Sequence, residues 1–184
     1  MKALLDTCVI YPTVMRQMLL GVAGQGGFTP LWSARIIAEW QHAARKLGPE
    51  GQAQAGAEAT LLAVHWPGAE VPYPESLEAR LWLPDPADTH VLAAAVAGSA
   101  DVIITLNRKD FPGHILAEEG LSRADPDAFL MGFYEAQPEM VTQVGQTVLV
   151  EADRLSGQTW AIRDLLKKAR LPRLGKALAR INLP

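Results

Sequence analysis

Apolar residues fall into runs whose spacing separates strands from helices. "KALLD", residues 2–6, is a short apolar run ending in an acid, the pattern of a strand buried on both faces of a parallel sheet. After Pro12 the spacing turns helical through Val14, Met15, Met18 and Leu19, until the glycine-rich stretch Gly21 to Gly27 ends it. Ser33 is a suitable N-cap for a helix carrying Ile36, Ile37 and Trp40, and the alanine-rich stretch around 50–64 predicts another. In "LWLPDPADTHVLAAAVAG", residues 81–98, Val91, Leu92, Ala95 and Val96 form the buried stripe of a helix closed by Gly98. "DVIITL" (101–106) predicts a second buried strand and "HIL" (114–116) a short third. From "DPDAFL" (125–130) onward the pattern is helical, with a Leu171-Pro172 break between two helices near the end. This order of elements predicts a three-layer α/β/α domain with a short, mainly parallel sheet, over 1–130, and a helical extension over 131–184.

The composition supports one folded domain with an appendage. The chain has 184 residues, and its 49% hydrophobic content suffices for a sizeable core. No apolar run reaches the length of a membrane span, and Asp6 interrupts the first run too early for a signal peptide. Cys8 is the single cysteine, so no intrachain disulfide can form, and a cytoplasmic location is expected. The net charge of −3 hides an asymmetry. Eight bases oppose only Asp164 from Arg154 onward, so this tail carries +7 and the first 153 residues carry −10. A basic tail on an acidic body suits a nucleic-acid or acidic-protein partner, and equally a solvated helix face without one. The glycine-rich stretch at 21–27 is no phosphate loop, because it follows a helix and lacks a Gly-Lys-Ser/Thr sequence.

Four acids stand out, and each has an ordinary explanation. Asp6 ends the first strand, where ligands gather in open α/β sheets, but it or Thr7 could cap the next helix. Glu39 sits among Ile36, Ile37 and Trp40 and could face solvent. Asp85, Pro86 and Asp88 fit the N-cap, first and third positions of a helix, resembling a capping box. Asp110 follows the second strand with Asn107 nearby and could close an Asx-turn. Taken together, Asp6, Glu39, Asp88 and Asp110 come from four separate elements. A carboxylate cluster lacking histidine or cysteine ligands suits a hard divalent cation, Mg²⁺ or Mn²⁺, and repels itself without one. Asp85 is assigned mainly to the cap and Asp88 to the metal; His42, His65, His90 and His114 are not expected as ligands.

"LLDTCVIYP", "LWSARIIAEW", "PDPADTHVLAAA" and "VIITLNRKDFP" resemble, in order and spacing, the motifs of PIN-domain proteins, which include the VapC-type ribonuclease toxins of bacterial toxin–antitoxin pairs. The similarity covers roughly residues 2–130. It implies a helix-flanked sheet with an acidic metal site at its edge and metal-dependent cleavage of RNA. Asp6, Glu39, Asp88 and Asp110 match the family's acids, and Thr7, Ser33, Thr105 and Asn107 its polar positions. Cys8 stands where asparagine is common, and Ala87 and Thr89 replace an acid and a base of the family's pattern. The resemblance also implies a cognate antitoxin, and dimers are common among such toxins. Arg108 and Lys109, with Lys167, Lys168, Arg170 and Arg173 of the basic tail, are candidate contacts to RNA. A rival reading is a catalytically inactive PIN-like protein that binds RNA or serves as a scaffold. A phosphatase of the haloacid-dehalogenase type fits poorly, since it wants a second aspartate where Cys8 stands.

Overall fold

A computed structural model describes residues 1–181. The last three residues of the expected helical extension, 182–184, lie outside the described residues. The chain forms two compact units, one joining Met1–Tyr11 with Thr29–Ala124, the other joining Pro12–Phe28 with the residues from Asp125 on.

The first unit is built on four short parallel strands, β1 (Lys2–Leu5), β2 (Thr29–Leu31), β3 (Val102–Ile104) and β4 (Ser122–Ala124), in the order β2-β1-β3-β4. The register pairs Leu4 with Leu31 on one side and with Ile103 on the other. Ala3, Leu4, Leu5, Ile103 and Ile104 are fully buried, as continuous apolar strands at the centre of a covered sheet must be. The outer strands lack the apolar pattern of the central pair. β2 contains Pro30, which cannot complete a ladder and suits an edge. β4 is Ser-Arg-Ala, the other edge, and has no apolar signature. The expected third strand at 114–116 is instead part of a helix, Gly113–Glu118, because a turn at Pro112 starts helical hydrogen bonding into Ile115 and Leu116. The third and fourth strands are 29–31 and 122–124.

The helices of this unit are α1 (Thr7–Ile10), α3 (Ala34–Ala44), α4 (Gly48–His65), α5 (Glu75–Arg80), α6 (Thr89–Ala97) and α7 (Gly113–Glu118), with α2 (Thr13–Gly24) belonging to the other unit. Ser33 caps α3 by accepting the Ile36 N–H at 3.3 Å, and Ile36, Trp40 and Ala44 make its buried stripe. In α6 every residue from Thr89 to Ala95 is buried, the mark of a helix enclosed all round. Gly98 ends α6, though not by a left-handed turn: its φ is −76°, and the positive φ falls on Ser99. A Cβ on Gly98 would come within 2.9 Å of Leu31 Cδ1 and 3.0 Å of Val71 Cγ2, so glycine is needed there for space.

The second unit is helical, with α2, α8 (Pro126–Ala136), α9 (Pro138–Ser156), α10 (Ile162–Lys168) and α11 (Pro172–Leu178). It joins the residues from Asp125 on with Pro12–Phe28, a grouping set by long-range packing that no local signal marks. Phe28, Phe129 and Phe133 pack ring against ring, two of the three contacts edge-to-face at 5.0 and 5.1 Å. Asp125 caps α8 by accepting the Asp127 and Ala128 N–H groups at 2.9 and 3.3 Å. The Leu171-Pro172 break separates α10 from α11 as the sequence predicts. Among the described residues, no helix is long and apolar enough to cross a membrane.

Candidate metal centre

Parallel strands place their carboxyl ends on one edge of the sheet, and β1 and β3 are neighbours there. Asp6 follows β1 directly and is buried; its N–H donates to the Ile104 carbonyl at 3.2 Å. It stands at the N-cap position of α1 but makes no side-chain capping bond. Its Oδ2 instead accepts the Thr105 hydroxyl at 2.7 Å and the Cys8 thiol at 3.0 Å. The capping reading of Asp6 therefore gives way to one in which the carboxylate is held toward β3.

Thr105 also links Asp6 to the loop after β3. Its Oγ1 accepts the Asn107 backbone N–H at 2.9 Å, and the Asn107 side-chain amide donates to Asp88 Oδ2 at 3.2 Å and to Asp110 Oδ2. One asparagine thus spaces two carboxylates that would otherwise repel freely. Glu39, on α3, accepts the Thr7 hydroxyl through Oε2 at 2.9 Å, while its Oε1 lies 3.0 Å from His90 Nε2 and 3.5 Å from Arg35 Nε. Burial pulls the His90 imidazole below its ordinary pKa against the opposing pull of Glu39, so a neutral ring donating through Nε2 fits the pair. Its Nδ1 is buried without a hydrogen-bond partner. The position of His90, two residues after Asp88, carries no local sign that α3 brings Glu39 to it.

Asp6, Asp88 and Asp110 are linked through Thr105 and Asn107, whereas Glu39 bonds to Thr7 and His90 and reaches Asp88 through its charge. Ser33, grouped with them by resemblance, serves as the cap of α3. Cys8, the departure from asparagine, donates to Asp6 and accepts the Leu106 N–H at 3.2 Å. Burial, reinforced by the Asp6 charge, pushes its thiol up to about 12, so it stays protonated and acts as a donor. Arg108 and Lys109 are exposed on the loop between Asn107 and Asp110. Lys167, Lys168, Arg170 and Arg173 are exposed in the second unit, where the Lys168 ammonium sits 4.9 Å from the Trp160 ring centre.

The helix start around Asp88 differs from the capping box that the sequence suggests. Asp85 caps a single 3-10 turn, Pro86–Asp88, through Oδ1 to the Ala87 N–H at 2.9 Å, and α6 begins only at Thr89. Asp88 makes no capping bond, which leaves its carboxylate available. Asp85 is more than a cap: Asp85, Asp88 and Asp110 each offer a carboxylate oxygen, all within 4.8 Å of one another. Burial first, then the charges of Asp6, Asp85, Asp110 and Glu39, push the Asp88 carboxyl up to about 6. Among the described residues no cation pairs with Asp88, and buried Thr89 stands where the family pattern has a base.

An all-oxygen donor set with unneutralised charge fits a hard divalent ion and leaves little reason for a soft one. Asp85→Asn is therefore expected to keep the cap but weaken Mn²⁺ binding about threefold to tenfold by isothermal titration, since one charge leaves the cluster. Unchanged affinity would confine Asp85 to capping.

Neither a curated protein nor a solved structure matched the chain. The sequence pattern of the PIN domain matches residues 2–109, more than half of the chain, and includes Asp6, Glu39, Asp88 and the Thr105–Asn107 segment, so this chain belongs to the PIN domain family.

Proposed function

We propose that this protein is a metal-dependent ribonuclease whose centre is formed by Asp6, Glu39, Asp88 and Asp110, with Asp85 contributing. The PIN fold is generally that of a metal-dependent nuclease. The observation that carries the reading is the convergence of four carboxylates, Asp6, Glu39, Asp85 and Asp110, on Asp88, with which no cation pairs among the described residues. A protein that used this edge only for folding would gain nothing from such repulsion. The same observation disfavours an inactive scaffold.

Asp88, Asp110 and Asp6 would hold the ion, with Glu39 and Asp85 completing the charge. Bound there, Mg²⁺ or Mn²⁺ supplies an activated water at neutral pH and offsets negative charge on the attacked phosphate. The protein's own groups fix where that happens. Thr105 and Cys8 hold the Asp6 carboxylate, Asn107 sets Asp88 against Asp110, and Thr7 with His90 orients Glu39. Because these donors already have partners, the carboxylates are positioned before substrate arrives. No histidine base is required, and His90 is occupied by Glu39.

The likeness of the four motifs to VapC-type toxins extends the proposal to a toxin restrained by an antitoxin protein. Purified full-length protein incubated with structured RNA is expected to cleave it with Mg²⁺ or Mn²⁺ and to stop with EDTA. Asp6→Asn removes an acceptor for Thr105 and Cys8 as well as a charge, and is expected to be inactive. Equal cleavage by wild type, Asp6→Asn and Asp88→Asn would overturn the assignment.

A further inference from the structure

Arg35, Glu39 and His42 lie along one face of α3 at helical spacing, and the chain continues from that helix into Arg45 and Lys46 of a 3-10 turn, Arg45–Leu47. These residues line one wall of an open groove, and Gln52 and Gly56 of α4 line the other. Among the described residues Glu39 is the only acid lining it; Glu50 and Glu58 of α4 do not. Arg45 and Lys46 are exposed, and among the described residues neither has an ion-pair partner. Arg35 is held at the junction, 3.1 Å from Glu78 and 3.5 Å from Glu39. Gly56 leaves its wall low, as a Cβ there would meet only open space. The groove thus starts at a carboxylate of the metal centre and leads away from it through unneutralised bases.

Such a gradient suits a polyanion whose one phosphate must reach the acids while its neighbours are held at a distance. Because α3 and α4 pack directly against each other, the groove is a shallow seam along their surface, and its two adjacent bases, Arg45 and Lys46, suit successive phosphates of one strand. We infer that the α3–α4 groove carries the sugar–phosphate backbone of single-stranded RNA flanking the cleaved bond, with Arg45 and Lys46 contacting phosphates. The inference rests on the ribonuclease reading and specifies where that substrate lies.

The test is fluorescence anisotropy with full-length protein and a short labelled single-stranded RNA, in EDTA so that cleavage does not intervene. Arg45→Glu combined with Lys46→Glu is expected to weaken binding at least about tenfold and to lower the salt slope by roughly 1.4, the share of two phosphate contacts on a single strand. Lys176→Glu with Arg180→Glu makes the same charge change in the second unit and is expected to alter binding less than about twofold. Equal weakening by both pairs would show attraction to overall charge and overturn the groove, as would wild-type binding by the first pair. Cleavage separates the two readings. If wild type cuts RNA and the Arg45/Lys46 pair does so with an unchanged KM, the groove is wrong and the nuclease stands. If wild type cuts nothing with either metal, the nuclease reading falls, while anisotropy still decides whether the groove binds RNA.

Discussion

Asp88→Asn is expected to lower kcat/KM for RNA cleavage on the order of 100-fold or more while making the metal-free protein more stable at neutral pH. The two effects share one cause. Asp88 lies where the other acids and partial burial disfavour a charge, so its carboxyl is raised from an ordinary 3.8 to about 6. A raised carboxyl means that the fold prefers the protonated form. Its contribution to stability is fully present below about pH 3.8 and is lost as pH rises through about 6. At pH 7.5 the metal-free wild type therefore carries a strained charge that asparagine removes, while an amide oxygen can still accept from Asn107. Because Asp88 is partly open to solvent, the gain is about 1 kcal/mol, roughly 2–4 °C in melting temperature.

Added Mg²⁺ should reverse the order by stabilising wild type more than the variant. Below about pH 6 the ion must displace a proton from Asp88, so wild-type affinity should fall about tenfold per pH unit. Thermal melts at pH 5 and 7.5, with EDTA and with Mg²⁺, read all of this. A variant that melts below wild type at both pH values in EDTA, or that still cleaves normally, would show that Asp88 is a structural acid.

The second large effect lies in the helical unit. Asp127 is buried near the start of α8, and it accepts the Arg173 N–H through Oδ2 at 2.9 Å and the Leu174 N–H through Oδ1 at 3.0 Å. These are orphan donors of the first turn of α11, which no residue of its own segment caps. Asp127→Ala leaves both N–H groups without an acceptor, and Leu174 is itself buried. The expected loss is about 3 kcal/mol, seen as a melting transition roughly 10 °C lower. Asp127→Asn retains one acceptor oxygen and turns an N–H₂ toward the other donor, so it should recover little of the loss. A wild-type melt for Asp127→Ala would mean that α11 is held by its buried Leu174 and Leu178 alone.

Much of this protein can be read from local sequence. Apolar runs determine β1 and β3, because a strand covered on both faces has no room for polar residues. Ser33, Asp85 and Asp125 declare their helix starts, since a side-chain oxygen meeting an orphan N–H needs only a few residues. The placement of Asp6 and Asp110 is legible for a related reason: each follows one of two neighbouring parallel strands, whose carboxyl ends share one sheet edge.

What depended on partners distant in sequence could not be read locally. β2 and β4 are three-residue edge strands with little apolar content, so only pairing with β1 and β3 makes them strands. Local spacing suggests a capping box at Asp85–Asp88, whereas the folded chain caps a tight turn with the first carboxylate and turns the second to Asn107 of a distant loop. His90 meets Glu39 across 51 positions, and Asp127 reaches Arg173 across 46. Tertiary structure also decided that Pro12–Phe28 groups with the C-terminal helices. Periodicity and caps are encoded within a few residues, whereas a carboxylate's partner and its charge depend on whatever the fold brings within a few ångströms.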